Sequence, residues 1–260
     1  MIAITDAFKD HKAFIPFITV GDPDLATTEA IVKAAADNGA DLIELGIPFS
    51  DPTAEGPVIM DADLVALEAG TTTDKVFELT KKLREDGITV PFVYMTYANV
   101  VFSYGTEKFA KRAQDAGVQG VILPDVPYEE KGDFDPIFSQ YGIDLISMIA
   151  PTSEDRITRI AREAKGFIYV VSSLGVTGTR AKITTDIAAM TELVRAAADV
   201  PCAVGFGIST PEQAREMAAK SDGAIVGSAI IRLIAEHGRN AAGPVGAYVK
   251  AMADAVHGIK

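Results

Sequence analysis

Short runs of apolar, β-branched and aromatic residues recur along the chain, each bounded by Gly, Pro, Asn or Asp. They are too short for helices and read as buried strands. The pattern predicts strands over residues 14–19, 41–47, 91–97, 120–125, 144–150, 167–173, 202–207 and 223–228. Between them, helical spacing covers 73–83, 107–116, 154–164, 187–198 and 212–219. A further helix follows the first strand, with Asp24 as its N-cap and Asn38-Gly39 as its stop. Regular alternation of strand and helix requires parallel strands, and eight such units close into a (β/α)8 TIM barrel of the α/β class. An open, doubly wound sheet is the competing architecture, but no Gly-x-Gly-x-x-Gly follows the first strand. With no linker and no low-complexity segment, residues 1–260 are expected to form one barrel domain.

Two connections stand out as long and rich in Gly, Pro, Ser and Thr: one from Pro48 to about Asp61, the other from Leu174 to about Asp186. Loops of this length inside a compact domain are usually lids or binding loops, and in a barrel both belong to the catalytic, carboxyl-terminal rim. The second strand, which leads into the first of them, breaks the apolar rule. Period-two alternation puts Leu42, Glu44 and Gly46 on one face and Ile43, Leu45 and Ile47 on the other. A carboxylate buried without a partner costs several kcal/mol. Glu44 is therefore either paired with a buried Arg or Lys, or an acid or base tuned by desolvation at the mouth of the barrel.

Across the barrel from Glu44, the last three strands end in glycine: Gly175-Val176-Thr177-Gly178, Gly205-Phe206-Gly207 and Gly227-Ser228. Glycine lets the backbone approach a ligand, and the segment from Ser228 reads as a helix start whose free N–H groups favour an anion. Three such turns in this order predict a phosphate grip built from backbone donors, with Arg180 near enough in sequence to assist. Asp51 and Glu55, in the loop after Glu44, face the other end of a substrate, and two carboxylates in different environments can divide acid and base work. Tyr97 and Tyr169 fall at strand ends where they either bond a substrate or carboxylate, or simply pack.

The formal charge of −12 argues against nucleic acid and anionic membranes as partners, but not against a phosphorylated metabolite. Cys202 is the only cysteine, set in an apolar run, so it reads as core in a reducing compartment. The first residues alternate charged and apolar side chains, unlike a signal peptide, and no apolar run reaches the length of a membrane span; a cytoplasmic protein is expected. His11, His237 and His257 lie away from the predicted catalytic rim, so no metal site is expected from them.

Several of these motifs together are similar to one family. Ile43-Glu44-Leu45-Gly46-Ile47-Pro48-Phe49-Ser50-Asp51-Pro52 resembles the tryptophan synthase alpha subunit, as do Gly21-Asp22-Pro23, Asp125-Val126-Pro127, Gly175-Val176-Thr177-Gly178 and Gly205-Phe206-Gly207-Ile208-Ser209. The resemblance implies a cofactor-free lyase that cleaves indole-3-glycerol phosphate to indole and glyceraldehyde 3-phosphate. It also implies an alpha2beta2 complex with a pyridoxal-phosphate-bearing beta subunit, to which indole passes through a tunnel. On the family's pattern, Glu44 is the catalytic glutamate, and Phe17, Met95 and Ile122 line the indole pocket. Tyr169 and Thr177 orient the two carboxylates, Gly178, Gly207, Gly227 and Ser228 hold the phosphate, and Asp51, Pro52 and Asn99 face the beta subunit. The chain departs from the family where Leu-Ala-Asp-Gly-Pro becomes Thr53-Ala54-Glu55-Gly56-Pro57, so that the second catalytic carboxylate is Glu55, one methylene longer, and Met60 stands where Gln is common. This departure motivates an alternative reading, a weakly catalytic subunit that mainly activates its beta partner.

Overall fold

The computed structural model describes residues 3–171, 186–205 and 207–259. Its strands are β1 (Ala13–Thr19), β2 (Ile43–Gly46), β3 (Phe92–Met95), β4 (Gly120–Ile122), β5 (Asp144–Leu145), β6 (Ser147–Ile149), β7 (Ile168–Val171), β8 (Cys202–Gly205) and β9 (Gly223–Val226). Among the described residues all strand pairings are parallel, in the order β5-β4-β3-β2-β1-β9-β8-β7-β6. The two ends of that order are consecutive in the chain, separated by Ile146 alone. One half of the expected fifth strand pairs with β4 and the other with β7, while the Ile146 amide still donates to the Val121 carbonyl at 2.9 Å. The eight expected strands are thus nine segments, and the barrel closes through the break.

The helices are α1 (Leu25–Asp37), α2 (Pro57–Glu68), α3 (Thr73–Glu85), α4 (Ala98–Tyr104), α5 (Thr106–Asp115), α6 (Asp135–Gln140), α7 (Glu154–Arg162), α8 (Ile187–Ala197), α9 (Pro211–Ala219), α10 (Ser228–His237) and α11 (Ala242–His257). Their starts follow from local chemistry. Asp24, Thr72, Ser153, Asp186 and Thr210 each turn a side-chain oxygen to a free amide of the first turn. The expected stop of α1 is met: Asn38 is its C-cap and Gly39 follows at φ +99°.

One boundary differs from the sequence reading. The loop expected to run to about Asp61 ends at Gly56, because Pro57 occupies the first turn of α2, where its missing N–H is harmless. The Gly-Pro pair that reads as loop is a helix start. The seven-residue α4 and six-residue α6 are too short for periodicity to reveal, and α4 is fixed by the Asp125 carboxylate, which accepts the Ala98 amide at 3.1 Å. No helix among the described residues is long and apolar enough to cross a membrane.

The register decides which side chains share the interior. Phe17 lies opposite Glu44, Glu44 opposite Val93, Gly46 opposite Met95, and Met95 opposite Ile122. On the other side, Ile15 lies opposite Ile225, Gly223 opposite Ala203, Ala203 opposite Tyr169, and Tyr169 opposite Met148. Because alternate residues share a face, Phe17, Glu44, Met95, Ile122, Met148, Tyr169 and Gly205 all belong to one face of the sheet. The closed curve of the barrel makes that face its inside.

Candidate active site

Glu44 is 1% exposed, and its Oε1 has no hydrogen-bond partner among the described residues. Burial alone drives its carboxyl up to about 8. No ion pair to Glu44 occurs among the described residues. The half-buried cation Arg84 is engaged elsewhere, donating to the carbonyls of Gly117, Ile88 and Val90 and to Gln119 Oε1. The reading of Glu44 as one half of a buried ion pair finds no partner among the described residues.

Aromatic rings close around that carboxyl. A Cβ on Gly46 would lie 2.6 Å from Phe17 Cζ, and one on Gly227 would lie 3.3 Å from Phe17 Cδ1. Both glycines are therefore seats for the Phe17 ring, one on β2 and the other just after β9. Gly205 serves Tyr169 in the same way, since a Cβ there would fall 2.2 Å from the phenol oxygen. Tyr169 on β7 is held well above the ordinary tyrosine range by burial and by the charges of Glu44 and Glu55. That influence crosses the barrel interior, because β2 and β7 are not neighbours in the sheet.

Glu55 stands just before α2, 5% exposed, with Oε2 unpartnered among the described residues. Burial pushes it to about 7, assisted by the Asp125 charge and opposed by hydrogen bonds from the amides of Glu55 and Ala54. The loop carrying it is anchored by Tyr97, whose hydroxyl oxygen accepts the Thr53 amide at 3.1 Å and the Ala54 amide at 2.9 Å. The Phe49 ring packs on Tyr97 with centroids 5.2 Å apart.

Two further buried carboxyls belong to this rim. Asp22, after β1, is raised to about 6 by burial, and Asp63 on α2 to about 8 by burial and the charges of Glu55 and Asp22. The sequence reading missed Asp63. Its signal is present once α2 starts at Pro57, since Asp63 then falls on the face that buries Ile59, Ala62 and Ala66. Met148, half-buried on the inner face of β6, was missed because the break at Ile146 hides its register.

At the opposite side of the mouth, β8 and β9 run side by side into Gly205 and Gly227. Gly207 is buried with φ +79°, a conformation that favours glycine. The amides of Ser228 and Ala229 precede the first intrahelical bonds of α10, which run from Ile230 and Ile231 to the Gly227 carbonyl at 2.8 and 3.1 Å. A helix N-terminus beside glycine turns suits an anion.

The sequence model of the family described as Tryptophan synthase alpha chain matches residues 5–257. This chain belongs to that family. The tryptophan synthase alpha chain of Lactiplantibacillus plantarum is 52% identical over 238 residues, covering 91% of this chain and 90% of the relative. The Lacticaseibacillus casei alpha chain is 48% identical over 256 residues, covering 98% and 96%. Among solved structures, tryptophan synthase subunit alpha from Legionella pneumophila superposes with a TM-score of 0.90 at 34% identity, covering all of both chains. A chain of the Pyrococcus furiosus tryptophan synthase complex gives 0.85 at 31% identity, covering 93% of this chain and 98% of that one.

As a member of the tryptophan synthase alpha family, the chain is a carbon–carbon lyase of tryptophan biosynthesis, and the alpha reaction cleaves indole-3-glycerol phosphate. Of the site residues named from sequence, Phe17, Glu44, Met95, Ile122 and Tyr169 share the barrel interior, and Glu55 stands in the following loop. Gly207 follows β8, and Gly227 and Ser228 follow the neighbouring β9. Asp51 and Asn99 are exposed and Pro52 is half-buried. Thr177, Gly178 and Arg180 lie outside the described residues. Cys202 is fully buried with its thiol pushed up to about 12, which makes it inert core.

Proposed function

We propose that Glu44 and Glu55 carry the cleavage of indole-3-glycerol phosphate between them. Glu44, protonated near neutrality by its burial, gives its proton to indole C3, which turns that carbon into a leaving group. As the bond from C3 to the glycerol chain breaks, the same carboxylate takes the proton of the hydroxyl on the carbon released, which becomes the aldehyde. Glu55, ionised, accepts the charge that develops at the indole N–H. Phe17, Met95 and Ile122 hold the indole, and Tyr169 orients Glu44. Gly207, Gly227 and Ser228 hold the phosphate through backbone amides, with Gly178 assigned to the same grip and Thr177 to orienting the carboxylates from the sequence. No cofactor enters these steps. The observation that carries the reading is Glu44 itself, a buried carboxyl with no ion pair among the described residues, on the same inner face as the Phe17 ring.

The exposed rim supports a beta-subunit partner. Asn99 and Phe102, three residues apart on α4, are both exposed, and so are Met60, Leu64 and Val65 along one side of α2. Exposed apolar side chains next to a functional mouth suit a protein interface, with Asp51, Pro52 and Asn99 as its polar contacts. An alpha2beta2 assembly in the cytoplasm, with this chain as one barrel domain, fits that surface and the relatives. The test is aldehyde release from indole-3-glycerol phosphate by purified chain plus beta subunit. Turnover that Glu44→Gln abolishes is expected, and absence of turnover by the unmutated complex would overturn the proposal.

A further inference from the structure

The end of the barrel opposite Glu44 holds a second cluster of functional side chains. Among the described residues, His11, Asp41 and His257 form a group of three metal-ligating side chains whose ligand atoms all lie within 4.8 Å of one another. They come from three separate places: the segment before β1, the turn before β2, and the last residue of α11. Each is held by its own contacts. Asp41 docks on β1 twice, its amide donating to the Phe14 carbonyl at 3.0 Å and its Oδ2 accepting the Phe14 amide at 2.7 Å. The His257 ring lies over Gly39, where an added Cβ would meet Cε1 at 3.6 Å. His257 Nε2 reaches Asp41 Oδ2 at 2.7 Å, and His11 Nε2 stands 3.7 Å from Asp41 Oδ1.

The arrangement of His11 asks for a cation. Its Nδ1 lies 3.2 Å from the Lys12 carbonyl, which can only accept, so Nδ1 carries the hydrogen. In the neutral ring, the lone pair of Nε2 then points toward the Asp41 carboxylate. Two electron-rich atoms facing each other need a proton or a metal ion between them. The imidazoles of His11 and His257 pack against each other beside Asp41, with centroids 4.0 Å apart. Backbone support of one imidazole nitrogen is also how metal-binding histidines are commonly oriented. Asp10 adds a negative charge to the groove that His11 and Asp41 line, whereas Asp6 and Asp254 are already paired with Lys9 and Lys250.

We infer that His11, Asp41 and His257 form a divalent-metal site on the amino-terminal rim of the barrel. Two imidazole nitrogens and one carboxylate suit zinc, cobalt or nickel, whereas calcium and magnesium prefer an all-oxygen shell. Ligand atoms bound at about 2.0–2.2 Å to one tetrahedral ion stand roughly 3.3–3.6 Å apart. The half-exposed His11 and His257 reach that spacing by small side-chain movements, and water completes the coordination. The ion takes the place of the proton between His257 and Asp41 and ties the amino-terminal segment to α11. It sits at the wrong end of the barrel for catalysis, so its effect is on stability.

The test uses the full chain without an affinity tag, stripped of metal with a chelator and titrated with zinc chloride by calorimetry. Cobalt absorption reports the geometry. One equivalent of zinc, a rise in Tm and the visible bands of tetrahedral cobalt are expected. His11→Ala and His257→Ala, each checked for folding by circular dichroism, should each bind zinc at least tenfold more weakly. His237→Ala, away from the cluster, should bind like the parent. Zinc binding that is absent in the parent, or unchanged in either His11→Ala or His257→Ala, overturns the site.

Discussion

The hydroxyl oxygen of Tyr97 accepts the backbone amide of Ala54 at 2.9 Å, one residue before Glu55. With the Thr53 amide on the same oxygen, this fixes a loop that has no regular structure of its own. Tyr97→Phe removes the acceptor both amides share, at about 0.5–1.5 kcal/mol for each hydrogen bond lost. We expect a lower Tm and roughly tenfold slower turnover, with KM little changed because the residues assigned to indole and phosphate stay in place. Steady-state kinetics with the beta subunit present checks the split.

Glu44→Gln separates activity from stability. Loss of the proton carrier should cost about 10²–10⁴ in rate. The folded-state value of Glu44, about 8, lies above its ordinary 4.5, so its contribution to stability is fully present below about 4.5 and is lost as pH rises through about 8. Glutamine carries no such dependence. The variant should therefore gain on the parent between those limits and be the more stable by a few kcal/mol above pH 8. Urea unfolding at pH 5 and pH 9 measures the difference.

The two carboxyls predict a narrow pH optimum. Glu55 works ionised and reaches that state near 7, whereas Glu44 must start protonated and loses its proton near 8. A bell-shaped kcat/KM profile with limbs near those values is expected. Asp125 raises Glu55 by its charge, so Asp125→Asn should move the acid limb to lower pH and leave the alkaline limb in place. Identical profiles for parent and variant would refute the assignment of Glu55.

Gly46→Ala should disturb the pocket through Phe17. The new methyl would lie 2.6 Å from Phe17 Cζ, so the ring has to move, at about 1–3 kcal/mol. Phe17→Leu removes the far end of that ring and should recover part of the lost Tm in the double variant. Strict additivity of the two changes in thermal unfolding would show that they do not meet.

Glu55→Asp tests the longer side chain. The Glu55 carboxylate is held by the amides of its own loop and buried against the site, so the loop is already fitted to the extra methylene. Turnover should stay within about threefold of the parent. A gain approaching a hundredfold, the scale expected of a 1 Å misplacement, would favour the alternative of a weakly catalytic activator.

The alternation of strands and helices, the cap Asp24, and the oddity of Glu44 within β2 were all legible in the sequence. Each depends on residues close together in the chain: period-two spacing, an oxygen three residues from an amide, one charge in an apolar run. Spacing did not reveal the start of α2 at Pro57, because Gly-Pro serves loops and first turns alike, nor the break at Ile146, which arises from closing the barrel. Three relationships were decided by tertiary structure alone: Tyr97 meeting Ala54, Asp63 sharing a buried rim with Glu55, and His11 and His257 converging on Asp41. Their partners are brought together by the curvature and closure of the sheet, and side-chain contacts between distant segments leave no periodicity behind. Local pattern therefore fixed most of the elements and the face on which Glu44 sits, while long-range packing fixed its neighbours and the environment that sets its proton affinity.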